Sequence, residues 1–121
     1  MPDIDIHDLK KNTEYNGYRP ADKEIVWFWN ILFSLTRSEK AAFLQFATGS
    51  SKVPLAGFSE LPGMRGVQKF SICKASGPAG ALMSAHTCFN ALDLPVYNSE
   101  EEMREKLLYA INEGSSGFGF A

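Results

Sequence analysis

The chain has 121 residues, 45% of them hydrophobic with nine Phe and two Trp, which is the length of one domain and enough material for one core. Twelve basic residues stand against 14 acidic ones, and the largest adjacent basic group is Lys10-Lys11, so the basic stripe that tracks nucleic acid is missing. No apolar run approaches the ~18 residues of a membrane span, and none reads as a signal segment.

In chain order, residues 1–20 are polar, carry turn signals at Asn16-Gly17 and Arg19-Pro20, and read as a linker or hinge leading into the fold. A body over 21–114 follows. Ile25, Phe28, Trp29, Leu32 and Phe33 recur at the spacing of one helix face, with Asp22 as N-cap. Trp27 lies off that stripe, so the helix is expected to be covered on more than one side. Thr36-Arg37-Ser38-Glu39 fits a capping box and opens a second helix, with Phe43, Phe46 and Ala47 inward and Gly49 closing it. Val53-Pro54-Leu55 is short and contains Pro, which makes it an edge strand or a strand start. Residues 67–74 alternate, Phe70 and Ile72 to one face, Lys69, Ser71 and Cys73 to the other. Residues 75–81 form a flexible loop, and 89–94 a third strand. Ser99 and Glu102 open the last helix, whose apolar stripe is Met103, Leu107, Ala110 and Ile111. Glu100–Arg104 and Glu102–Lys106 are i,i+4 pairs on its far side, and Gly114 ends it. The tail 115–121 is short and Gly-flanked, hence flexible. The pattern predicts an α/β fold, helices packed on a small sheet.

Chemistry concentrates in Ser84-Ala85-His86-Thr87-Cys88-Phe89-Asn90, where a Gly-rich loop gives way to an apolar run. A thiol on such an edge is open to a large partner, and cysteine has more nucleophile present unaided than any other side chain. Against this stands the ordinary fate of a free Cys, a small buried hydrophobe. Two Cys and two His, with His7 remote, are too few and too badly spaced for a structural zinc site. Cys73 and Cys88 are read as intracellular thiols, which places the chain in the cytoplasm or nucleus. No metal or cofactor is expected.

The stretch from His86 to Asn90, with Leu92 and Leu94-Pro95, resembles the active-site segment of the HECT-type ubiquitin ligases. Glu14-Tyr15, Gly17-Tyr18 and Trp27-Phe28-Trp29 are similar to the start of that family's C-terminal lobe. Phe43 to Phe46, Thr48-Gly49, Ser51 to Leu55 and Gly57-Phe58 are similar to its central signature, and Gly117 to Ala121 to its terminal tail. The resemblance spans nearly the whole chain and is nearest to the large ligases of the HUWE and Tom type. Met83 stands where the family usually has Pro, a departure expected to loosen the approach to Cys88.

The resemblance implies a C-lobe fold with Cys88 on a loop between strands. Cys88 would accept ubiquitin as a thioester from a conjugating enzyme and pass it to a lysine of a protein substrate. The family's N-lobe, which recruits the conjugating enzyme, is absent from these residues, so weak or no ligase activity is expected of them alone. His86, two residues before Cys88, would project to the same side of an extended segment and stabilise the thiolate, or else only shape the loop. Thr87 would donate to the oxyanion or fix the loop. Asp93 is a base for the incoming lysine or an ordinary solvated carboxylate. Phe118 matches a family position linked to lysine transfer; alternatively both tail Phe fold back on the body. Two other functions fit the residues: a non-catalytic ubiquitin-binding or protein-interaction module, and a redox or thiol-peptidase domain. No Cys-x-x-Cys supports the latter.

Overall fold

Structure begins where a linker is expected. In a computed structural model that describes residues 3–120, with side chains as far as Glu113, α1 spans Ile6–Lys11 and β1 spans Glu14–Asn16. Asp5 caps α1, its Oδ1 accepting the Asp8 N–H at 3.1 Å. Ile6 and Leu9, one turn apart, are buried with Ile4. β1 runs parallel to β4 (Ser71–Lys74), Tyr15 opposite Ile72. Tyr18 is buried, and its hydroxyl donates to the Leu94 carbonyl at 3.0 Å. Residues 4–18 thus contribute to the core, which a polar linker or hinge leading into the fold would not do. The apolar residues of this segment are few and set singly among polar ones, so composition hides them, yet Ile4, Ile6, Leu9 and Tyr18 are buried in the core.

Helix α2 (Lys23–Ser34) follows, with Ile25, Phe28, Trp29 and Leu32 buried as the spacing predicts. Ile31 is buried too, and Phe33 is exposed against His7, ring centroids 4.5 Å apart. The reason is the one Trp27 hinted at: a second side of α2 is covered, by the C-terminal helix. α3 (Arg37–Thr48) carries the complete capping box, Thr36 with Glu39, and ends at Gly49 in the left-handed region, φ 83°. Phe28, Phe43 and Phe70 bring α2, α3 and the start of β4 together, with centroids 5.9–6.5 Å apart in edge-on and stacked pairs. Trp29 Nε1 donates to the Tyr15 hydroxyl at 3.1 Å and ties α2 to β1.

Residues 53–55 form no strand. Leu55 is fully exposed, and the segment bends through a turn closed by Gly57 N–H on the Pro54 carbonyl at 2.9 Å. Pro54 has no N–H for a ladder, which suits a turn better than an edge. The predicted strand over 67–74 divides in two. β2 (Pro62–Gly63) and β3 (Gly66–Val67) form a small antiparallel hairpin, and only β4 enters the main sheet. There Phe70 and Ile72 are buried while Ser71 and Cys73 are half-covered, the alternation read from sequence.

β5 (Ser84–His86) and β6 (Ala91–Leu94) complete a four-stranded sheet in the order β1-β4-β6-β5, parallel except for the β5–β6 pair. The loop before β5 is tied at both ends, by Ala75 N–H to Leu94 O at 3.1 Å and by the Tyr97 hydroxyl to Ala81 O at 2.6 Å. Met83 is buried in the core, an anchor just ahead of β5.

α4 (Glu100–Phe120) buries Met103, Leu107, Ala110 and Ile111. Its bounds extend past the stop expected at Gly114; the side chains of 114–121, Phe118 included, lie outside the described residues. Ser99 Oγ accepts the Glu102 N–H at 3.1 Å, half of the expected box. Among the described residues the expected Glu100–Arg104 pair does not form. Glu100 accepts from Asn30 Nδ2 at 3.3 Å and Arg104 donates to Ser34 Oγ at 2.8 Å, because both reach across to α2. The α/β class, helices on a small sheet, is as the sequence predicts. No helix among the described residues is long and apolar enough to cross a membrane.

Candidate functional site: an exposed thiol at a hairpin tip

β5 and β6 pair up to His86 opposite Ala91, which leaves Thr87, Cys88, Phe89 and Asn90 as a four-residue hairpin loop. The first three form a 3₁₀ turn, and Asn90 takes the left-handed conformation, φ 52° and ψ 41°. Its N–H closes the turn on the Thr87 carbonyl at 3.2 Å. Hairpin loops of this length are commonly built on such a turn, and Asn is among the few side chains that tolerate the left-handed region. Cys88 therefore stands at the tip of a hairpin, exposed, with Phe89 half-exposed beside it. Cys73 is a second free thiol, half-covered in β4, 4.0 Å from Ser71 Oγ.

Two neighbours hold the tip. The β2–β3 hairpin lies alongside, its Met64 N–H donating to the Cys88 carbonyl at 3.1 Å. The C-terminus of α3 lies behind, where a Cβ placed on Gly49 would sit 3.5 Å from Thr87 Cβ. Between them is a shallow depression of about 400 Å³, lined by Thr48, Pro62, Gly63, Met64, Thr87 and Cys88. Cys88 is one of the residues that line it.

His86 is not aligned with Cys88 as an extended segment would require. The chain turns at Thr87, and His86 Nε2 lies instead 2.9 Å from Asp93 Oδ2, diagonally across the β5–β6 ladder. No hydrogen bond joins His86 to Cys88 among the described residues. Asp93, expected to be either a base or merely solvated, is the partner of His86. Thr87 is half-buried against Gly49, a placement that suits fixing the turn. No group of three His, Cys, Asp or Glu side chains among the described residues is placed to hold a metal.

The chain matches, over residues 1–121, the family described as HECT-domain (ubiquitin-transferase). It belongs to the HECT family. This HECT chain is 55% identical over its full length to the E3 ubiquitin-protein ligase ptr1 of Schizosaccharomyces pombe. It is 54% identical to the E3 ubiquitin-protein ligase HUWE1 of Mus musculus and 53% to the E3 ubiquitin-protein ligase TOM1 of Saccharomyces cerevisiae, again over all 121 residues. It spans only 3–4% of the length of these relatives. The resemblance to the HUWE and Tom group read from the motifs is thus found along the entire chain.

One feature of the turn is not visible in the sequence motif: Asn90 is the one buried polar side chain among the described residues. The signal available was an Asn between a turn and an apolar strand, the position where a left-handed residue closes a hairpin loop.

Proposed function

We propose that this chain is the ubiquitin-accepting lobe of a HECT-type ubiquitin ligase, with Cys88 as the acceptor. The observation that carries it is the exposed Cys88 thiol at a hairpin tip, inside a chain that belongs to the HECT family throughout.

The chemistry has two steps. Cys88, as thiolate, attacks the carbonyl carbon of the ubiquitin C-terminal glycine, which arrives as a thioester on a conjugating enzyme. The new C–S bond forms to Cys88 as the old one breaks, and the enzyme's cysteine leaves as thiolate to take up the proton that Cys88 lost. One thioester replaces another, so the step is near thermoneutral and depends on bringing two large proteins into register, worth several kcal/mol of the barrier. A neutral substrate lysine then attacks the Cys88 thioester, an amide forms, Cys88 leaves as thiolate, and the surplus ammonium proton passes to a base. Thr87 fixes the turn, the His86–Asp93 pair braces the hairpin below it, and Phe118 serves the lysine step. The conjugating enzyme docks on the part of the ligase outside this chain.

The test is a loading assay on the full-length ligase. Native protein and Cys73→Ala should each form a ubiquitin adduct that hydroxylamine or thiol reductant releases, and Cys88→Ala should form none. An adduct that survives in Cys88→Ala would overturn the assignment.

A further inference from the structure

The hydrogen bonds behind the thiol single out a residue that the transfer chemistry does not itself use. Asn90 is 1% exposed and is the only non-glycine residue with positive φ among the described residues. Its Nδ2 donates both protons, to the Pro62 carbonyl at 2.9 Å and to the Gln68 carbonyl at 2.7 Å. Those carbonyls lie at the two ends of the β2–β3 hairpin. Its Oδ1 accepts no hydrogen bond from the described residues. Among the described residues the side chain is therefore held through its two donors.

A closed ring results. Asn90 grips the base of the hairpin, and the hairpin returns through Met64 N–H to the Cys88 carbonyl, two residues before Asn90. The ring is tight, since a Cβ on Gly63 would collide with Gln68 Cβ and lie 3.4 Å from the Cys88 carbonyl oxygen. The ring ties the four-residue tip to the neighbouring hairpin at both its second residue, Cys88, and its last, Asn90.

We propose that Asn90 is a positioning residue for ubiquitin transfer. It fixes the direction of the Cys88 thiol by combining a left-handed backbone with a two-donor clamp on the β2–β3 hairpin. The inference rests on Cys88 being the acceptor. Thioester exchange between two large proteins is sensitive to placement, and a 1 Å error in the reacting atoms can cost about 100-fold in rate.

Asn90→Gly keeps the left-handed backbone and removes both donors. In the full-length ligase it should slow ubiquitin loading at least tenfold while alkylation of Cys88 by iodoacetamide stays within twofold of native. A small reagent needs only an exposed thiol, whereas a thioester on a protein needs an aimed one. Hydrogen exchange read by mass spectrometry should show faster exchange in peptides over 61–68 and native exchange over β4 and β6. Gly63→Ala, which displaces the hairpin and leaves Asn90 in place, should slow loading in the same way. Native loading in either variant with the hairpin loosened would overturn the proposal. So would loss of protection across the whole sheet together with new reactivity of Cys73, which would make Asn90 a stability residue only. Cys88→Ala run alongside separates the two claims. An adduct without Cys88 refutes the acceptor assignment, while loss there with native loading in Asn90→Gly refutes the positioning role alone.

Discussion

Gly17 decides whether the N-terminal segment is hinge or fold. It follows β1 with φ at +86°, and a Cβ built on it would lie 2.8 Å from Lys74 Cβ on the neighbouring strand. Gly17→Ala therefore meets two costs. The left-handed backbone costs a non-glycine residue about 1–2 kcal/mol. The clash is with the first side-chain carbon of Lys74, close to the backbone, so β1 or β4 must shift, and overpacking of this kind costs about 1–3 kcal/mol. The sum, about 2–5 kcal/mol, is a large share of the 5–15 kcal/mol that holds a typical domain folded. For a chain of this length it corresponds to a fall in Tm on the order of 10 °C. Gly17→Pro should be worse, because proline locks φ near −65°. Thermal unfolding followed by circular dichroism, native against Gly17→Ala, measures this directly. An unchanged Tm would refute the reasoning and favour the reading of residues 1–20 as a linker or hinge leading into the fold.

Two further outcomes are expected. Burial, and after it the charges of Glu24 and Asp22, pushes the Tyr18 hydroxyl up to about 12, and burial with the Glu102 charge raises Tyr97 as well. An unfolded tyrosine loses its proton near pH 10 while the folded one keeps it, so this contribution to stability is whole below pH 10 and falls as pH rises toward 12. Unfolding midpoints measured across that window should decline, less steeply in Tyr18→Phe; equal slopes for the two proteins would remove Tyr18 as a cause. Phe118→Ala in the full-length ligase should leave loading of Cys88 intact and slow its discharge to lysine in a pulse-chase assay. Failure at the loading step would instead assign Phe118 to the structural core.

What was legible in the sequence is what is local. Thr36, Glu39 and Gly49 announce α3 because a capping box and a left-handed stop are written within a few residues of each other. The stripe of α4 was readable for the same reason, whereas β5 left no signal and the strand expected over 89–94 begins only at Ala91, after the turn that carries Cys88. Strands of two or three residues, such as β1, β2 and β3, are too short to leave a period in the sequence. The partners of Glu100 and Arg104 lie 70 residues away on α2, so a local i,i+4 rule chose the wrong ones. His86 and Cys88 were placed on one side by a period-two argument that fails where the strand turns, and the actual partner of His86 is seven residues off, across a ladder. The Asn90 clamp joins residues 22 and 28 positions away, and no pattern within the segment foretells it.

Placement of the thiol follows from the size of its proposed partners. A nucleophile that serves small substrates gains from a cleft, where water is excluded and donors converge on the reacting atom. One that must meet a conjugating enzyme in one step and a substrate protein in the next cannot be recessed, because both bring their own bulk to the reacting atom. Cys88 accordingly stands out at a hairpin tip, beside a shallow depression that it helps to line. A protruding loop ordinarily gives up orientation for reach. Here the loss is offset from behind, by the contact of Thr87 with the end of α3 and by the hydrogen bonds that tie the turn to β2–β3. Reach comes from the exposed face of the turn and aim from its buried face. Substitutions on the two faces should therefore differ in kind, those at Cys88 abolishing transfer and those at Asn90 or Gly63 slowing it while the thiol stays reactive toward small molecules.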